Sequence, residues 1–596
     1  MGRTDGYAPI QDYALIGDGR TCALVALDGS IDWLALPRHD SETVFARLLD
    51  PERGGAFELA PEGEYRTERE YVGDSNVLRT TFVTSRGTVT VTDAITLDHG
   101  GFLPWFELAR RVDGVTGTVP MRWRVVPRFG AGESDEEQTI DRVGEAIRAT
   151  AGERSLVLHA FDAGRPEHTP TEIFGSFDAA AGSHATLVVR ATHDEPIPVA
   201  RRDWVEDRIA GTADDWSRWL DDAGVEGDWN AAVRRSALAL RALTYVPTGA
   251  IVAAPTTSLP ERIGGDRNYD YRYAWVRDTA FTLDALISLG LLVQVHASFT
   301  WLLRAIEQTE PDLDPFYDLD GRPTSDEQDL DLAGYRGSKP VRRGNTAAGQ
   351  LQLGSWGDLL ETAELYVREG NALDDRTSTR LADILDYLAD IWEKPDSGIW
   401  ELDDVEHYTD SKLSVWMAFD RALRLVDAGA LPRDRALRWR ETTTAVHEFV
   451  ERECWSEPHG CYVMFPGSTK LDASILRMSR ANYLDVRGEQ FSSVIDAIRD
   501  ELDAGEGLLY RYSGQQREEG AFVACSFWLV EALARAHRVD EARETMNRVV
   551  AHANDVGLFA EEVDPGSGDF LGNFPQGLSH LALIGAAAAI REVERS

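Results

Sequence analysis

Hydrophobic and polar positions follow two different rhythms along this chain. Up to about residue 200 they alternate in short β-branched runs, such as Val77-Leu78-Arg79-Thr80-Thr81-Phe82-Val83 and Thr88-Val89-Thr90-Val91-Thr92, with turns at Asp28-Gly29 and Asp113-Gly114. Alternation of this kind predicts strands, and many short strands without helices between them predict an antiparallel β-sandwich over residues 1–202. From residue 203 the apolar spacing becomes helical. Residues 203–228 read as a linker built on a helix near Arg208–Leu220, and residues 229–596 as a helical domain. Its amphipathic patterns fall near 229–245, 278–290, 292–308, 345–368, 376–393, 410–428, 433–452, 470–484, 489–503, 522–537, 539–553 and 577–593. Twelve such helices without strands predict six helical hairpins in a ring, an (α/α)6 barrel. A generic α-solenoid competes, but no repeat of fixed period is present. The long loops 246–277 and 309–344 place a site in the barrel mouth.

Composition narrows the function classes. At 596 residues and 43% hydrophobic, the chain can bury large cores. Its 61 basic residues stand against 101 acidic ones, a net charge of −40. That balance argues against nucleic acid, whose phosphates require a basic surface, and against anionic membranes. Only four lysines (Lys339, Lys394, Lys412 and Lys470) accompany 57 arginines. A GC-rich genome accounts for arginine over lysine but not for the acidity, which predicts a shell adapted to concentrated salt, as in a halophile. Four cysteines are too few for a disulfide framework; Cys454 and Cys461 are close enough in sequence to pair, and free thiols are the expectation. No signal-peptide pattern or long apolar run occurs, so a cytoplasmic location is expected.

Four segments combine aromatics, charges and glycines: Gly264–Asp278, Asp396–Glu401, Leu508–Gly520 and Gly557–Gln576. Aromatic rings beside paired charges suit carbohydrate, whose rings stack and whose hydroxyls need donors and acceptors. Glycoside hydrolysis needs two carboxyl groups across the scissile bond, one of them protonated. Glu401, directly after Trp400, suits the acid, and Glu561 is a candidate for the facing base. In isolation, Glu401 reads more readily as a surface carboxylate and Arg277-Asp278 as a charge pair starting a helix. The 13 histidines form no metal-ligand spacing, and no phosphate-binding glycine loop or nucleophile elbow occurs, so neither metal nor cofactor is implied.

Taken together the segments resemble glycoside hydrolase family 15, the glucoamylase, glucodextranase and trehalase family. Residues 7–50, with Tyr7-Ala8-Pro9-Ile10, Ile16-Gly17-Asp18-Gly19 and Asp28-Gly29-Ser30-Ile31-Asp32-Trp33, resemble its trehalase-like N-terminal domain. Gly265–Tyr273, Gly334–Ser338, Pro340–Asn345 and Gly572–Gln576 resemble its catalytic domain. The resemblance implies a β-sandwich joined to an (α/α)6 barrel. It implies Glu401 as general acid and Glu561, rather than Glu562, as general base. It also implies Arg277 and Asp278 as the clamp on the non-reducing glucose, with Tyr271, Trp275, Trp400 and Arg511 lining the sugar site and the carbonyl of Ile399 or Trp400 touching it. Family members invert, so a water held by Glu561 attacks while Glu401 protonates the leaving oxygen, across a gap of about 6.5–9.5 Å. Leu402 stands where fungal members carry a second Glu, and Gly354-Ser355-Trp356-Gly357-Asp358 departs from the usual Asp-x-Tyr-Gly-Glu, which bears on the pocket rim at Trp356. The leading expectation is a glucoamylase-like exo-acting enzyme that releases β-glucose from α-glucans and maltooligosaccharides. The alternatives are an α,α-trehalase on the same site and a non-catalytic carbohydrate-binding homologue. Its partner is an α-linked glucose oligosaccharide or disaccharide; oligomeric state is not legible.

Overall fold

The computed structural model describes every residue except 1, 99–100, 132–135, 194–195, 222, 226, 325–326 and 596. Strands occupy the chain from Tyr13 to His193, all paired antiparallel, in two sheets that share one long strand, Phe106–Val126. Its first half pairs with Gly87–Ile95 and His184–His193. Its second half pairs with Ala56–Pro61 and Ile173–Ala180, so the strand passes from one layer of the sandwich to the other. Inward side chains such as Leu108, Val112, Val119, Met121 and Val125 are fully buried between the layers.

Helix α1 (Arg202–Asp221) joins the two modules. It is longer than the Arg208–Leu220 helix expected, and it stops before the end of the 203–228 linker. Val205, Ile209 and Ala213 pack on Val77, Ala94, Ala109 and Val188 of the sandwich, and Arg208 bonds Glu107 at 2.6 Å.

Among the described residues twelve helices follow: α2 (Asn230–Leu243), α3 (Val276–Ser288), α4 (Leu292–Ile306), α5 (Gly354–Arg368), α6 (Asp375–Ile391), α7 (Thr409–Asp427), α8 (Ala436–Phe449), α9 (Met478–Ala481), α10 (Glu489–Leu502), α11 (Val523–Arg535), α12 (Val539–Val550) and α13 (Gly577–Arg595). The inner ring runs α3, α5, α7, α9, α11, α13 and closes where α13 meets α3; the remaining six form the outer ring, making an (α/α)6 barrel. Burial follows from these places. Outer α12 buries only Ala542, Met546 and Val549, one stripe of an amphipathic helix, whereas α11 is buried continuously from Val523 to Ala534.

Two expected helices are shorter than the apolar pattern implied. The 345–368 pattern becomes helical only at Gly354: Gly349 holds φ +74°, the Asn345 side chain accepts from the Ala347 N–H, and the Leu353 N–H goes to Asp396. The 470–484 pattern yields a 3-10 turn, Ala473–Arg477, and the single turn of α9, ended by left-handed Asn482. There the Ala473 N–H is taken by the Arg511 carbonyl and the Asp472 side chain accepts from the Ser474 N–H, so loop pairing displaces helix. All four cysteines are free and buried, including Cys454 and Cys461. No helix among the described residues is long and apolar enough to cross a membrane.

The sandwich also supports the barrel mouth. The Trp33 indole donates to the Pro255 carbonyl (2.8 Å), and Arg272, doubly bonded to Asp270, donates to the Ser41 carbonyl (2.9 Å). Tyr7 and Tyr335 cross between the modules, donating to Gly334 and Ala8 carbonyls. The loop ahead of α3, which carries Tyr271, is therefore held from behind by the sandwich.

Candidate active site

A cavity of about 510 Å³ opens at the barrel mouth, walled by the loops that enter the inner helices. Glu401, Glu561, Arg277, Tyr271, Trp275, Trp400 and Arg511 all line it. Of the residues expected from the sequence, only Asp278 stands back from the wall. It is buried under Arg277 and accepts from its Nε at 2.9 Å, while its Oδ1 meets no donor among the described residues. One expectation changes: Trp356 is fully buried in α5, away from the rim. The Ile399 carbonyl accepts from Arg277 Nη1 at 2.8 Å, with its second lone pair left over, and Ile399 lines the cavity.

Glu401 sits on the turn Ser397–Leu402 at φ +59°, a left-handed conformation that a glutamate rarely adopts. The turn is closed by Leu402 N–H to the Ser397 carbonyl (2.9 Å), and Gln350 donates to the Glu401 carbonyl (3.3 Å). Its Oε1 accepts from the Trp275 indole at 2.7 Å and lies 3.6 Å from Arg277 Nη1. Burial raises the Glu401 pKa, while Arg277 and the indole hydrogen bond oppose the rise. Trp400, beside it, donates to both oxygens of Asp472 and packs edge-on against Phe522.

Glu561 lies just ahead of a short strand, Glu562–Val563, and is 2% exposed. Its Oε2 accepts the Asn573 N–H at 3.2 Å. Gly572, at φ +70°, is needed for this approach, because a Cβ there would fall 2.4 Å from that oxygen. Burial, and after it the charge of Glu261, pushes Glu561 up to about 8; Arg511, the Tyr271 hydroxyl and the Asn573 N–H pull the other way. Tyr271 is itself held edge-on against Trp275, with centroids 5.4 Å apart.

Arg511 links the two sides. Its guanidinium lies 5.5 Å from the Trp400 ring centroid; its Nε donates to Glu519 Oε1 and its Nη2 to Glu261 Oε2, both at 2.8 Å. Nη2 also bonds Glu519 Oε2. Glu261, Glu519 and Glu562 are the one group among the described residues able to offer three carboxylate oxygens to a metal ion, and Arg511 already supplies their cation. Sequence reasoning did not find Glu261. It lies 250 residues from Arg511, in a loop whose only signal is a charge beside proline. Arg267 and Tyr269 stood in a quoted motif without a role, and both line the cavity.

Comparison with known proteins decides the family. Residues 227–588 match the model of glycosyl hydrolases family 15, more than half the chain. The chain belongs to glycosyl hydrolases family 15. It is therefore a glycosidase. Residues 3–163 match the trehalase-like N-terminal model, so this family 15 chain carries both modules. A protein of Thermoplasma volcanium named trehalase is 31% identical over 99% of this chain and 94% of its own length. One of Mycobacterium tuberculosis, also named trehalase, is 32% identical over 99% of this chain and 90% of its own. A bacterial glucoamylase solved with acarbose shares the fold at a TM-score of 0.75 and 13% identity, covering 100% of this chain and 96% of that one.

Proposed function

We propose that this family 15 enzyme is an inverting α,α-trehalase. The observation that carries the reading is that the Thermoplasma and Mycobacterium relatives named trehalase align across 99% of the chain, sandwich and barrel together. The motif-based expectation had put α-glucans first; the likeness to a glucoamylase, at 13% identity, extends to the fold alone. The non-catalytic alternative is disfavoured by two carboxyls, Glu401 and Glu561, that line one cavity with an arginine clamp.

Glu401 is the general acid. Burial favours the protonated form of its carboxyl, and the Trp275 indole on Oε1 leaves Oε2 to carry the proton to the leaving oxygen. Arg277 grips the hydroxyls of the first glucose, its plane set by Asp278 behind it. Glu561 takes the proton of the attacking water, with Tyr271 beside it. Arg511 faces the glucose across the cavity over Trp400. Inversion at one of two α-linked anomeric carbons yields one β-glucose and one α-glucose.

The full chain, assayed in dilute and in concentrated KCl, is expected to cleave trehalose faster than maltose, isomaltose or maltoheptaose. Early proton NMR spectra should show α- and β-glucose in equal amounts. Rapid hydrolysis of maltoheptaose with little on trehalose would overturn the substrate. Release of α-glucose alone would overturn inversion.

A further inference from the structure

The base stands in a crowd of carboxyls. Glu261, Glu519 and Glu562 each place an oxygen within 4.8 Å of the others, all buried, with Glu561 beside them. Arg511 and Arg267 are the two cations facing this group from the neighbouring loops, and Cys525 is a neutral thiol facing it from α11. Glu519 is fully served, by two bonds from Arg511 and by Arg267 Nη1 at 2.7 Å. Glu261 Oε2 has Arg511 Nη2 at 2.8 Å. Of these three, Glu562 is the poorest in cations. Its Oε2 accepts the Gly520 N–H at 2.8 Å, and the nearest arginine nitrogen is 3.9 Å from its Oε1.

Two oxygens are then left over. Glu261 Oε1 and Glu562 Oε1 are both buried without a donor among the described residues. Two unpaired anionic oxygens buried within one carboxyl cluster would repel strongly, whereas a proton on one of them removes a charge and supplies the cluster with a donor. We propose that Glu562 is held as a neutral carboxylic acid that donates its proton to Glu261, so that the proton required by the crowded carboxyls does not fall on Glu561. Glu562 is then a positioning residue. With Glu519 and Glu261 matched to Arg511 and Arg267 and Glu562 neutral, the next carboxyl to ionise is Glu561, which takes up the negative charge a base needs as pH rises through its raised pKa of about 8. Burial together with the charges of Glu261 and Glu519 favours the neutral form of Glu562. The inference rests on the reading of Glu561 as the base, and the experiment separates the two.

Glu562→Gln replaces the acid by an isostere whose carbonyl accepts from Gly520 and whose amide donates to Glu261. Its kcat/KM at neutral pH should stay within about threefold of wild type. The acidic limb of its kcat/KM profile, which reports the base of the free enzyme, should not move. A displacement of that limb to lower pH by about half a unit or more would overturn the proposal, because it would mean that an ionised neighbour of Glu561 had been removed. Glu562→Met, which cannot donate or accept, should lose about tenfold or more in kcat, rescued by Gln. The infrared difference between wild type and Glu562→Gln at neutral pH should contain the carbonyl band of a protonated carboxyl; carboxylate bands alone would overturn the proposal whatever the activities. Glu561→Gln serves as control: if it stayed active, the base assignment would fail while the infrared band still located the proton.

Discussion

The sandwich and the barrel mouth each bury a cluster of charge, and the two are built on opposite balances. In the sandwich, Arg110 grips Asp93 at 2.8 Å and also donates to the Phe57 and Gly29 carbonyls. Glu107 is held between Arg190 at 2.7 Å and Arg208 at 2.6 Å, with Thr96 donating to it as well. There arginines match or outnumber carboxyls. At the mouth, Glu261, Glu519, Glu561 and Glu562 share Arg511 and Arg267, and orphaned oxygens remain. The difference teaches how to tell support from chemistry. A buried charge that is fully paired holds the fold, whereas carboxyls short of cations have shifted pKa values and can exchange protons.

The comparison can be broken from either side. The largest effect is expected at the mouth: Glu401→Gln and Glu561→Gln should each lower kcat on the best substrate by about 10²–10⁴, with circular dichroism and melting temperature close to wild type. A folded variant keeping near-normal kcat would remove its residue from the mechanism. In the sandwich the reverse pattern is expected. Glu107→Gln leaves Arg190 and Arg208 without their counter-charge and should cost about 3–5 kcal/mol in denaturant unfolding, while kcat per folded molecule stays unchanged. A fall in kcat without loss of stability would show that the sandwich takes part in catalysis.

A further effect is expected with pH, at a buried carboxyl beside the mouth that belongs to neither cluster. Burial pushes Asp472, which holds the Trp400 indole, up to about 7. The folded protein thus binds its proton more tightly than the unfolded chain. The stability it contributes is complete below the ordinary aspartate pKa and is lost as pH rises through about 7. Asp472→Asn, which still accepts from the indole, should flatten the fall in unfolding free energy between about pH 4 and 7 by at most about 4 kcal/mol. An unchanged slope would place that pH dependence elsewhere.

How much was legible depended on range. Glu401 stood out as a candidate because its cues are adjacent, Trp400 before it and a glycine turn around it. The roles expected of Glu401, Arg277, Asp278 and Tyr271 came from the resemblance of whole motifs to family 15. Glu261 and the proton economy around Glu562 were not, because their partners come from loops hundreds of residues apart. Helices that bury one stripe, such as α12, were placed within a few residues, while the 470–484 pattern misled because its backbone bonds go to the Leu508–Tyr512 segment instead of to itself.

The sequence by itself determined the two-module plan, the (α/α)6 class and the two catalytic candidates, since periodicity and short motifs are local properties of a chain. Only the tertiary structure decided that Asp278 stands behind Arg277, that Trp356 is core, and that four carboxyls compete for two arginines. Those outcomes depend on burial and on distances between remote loops, and a carboxyl's protonation is set by the charges and solvent around it rather than by its neighbours in sequence.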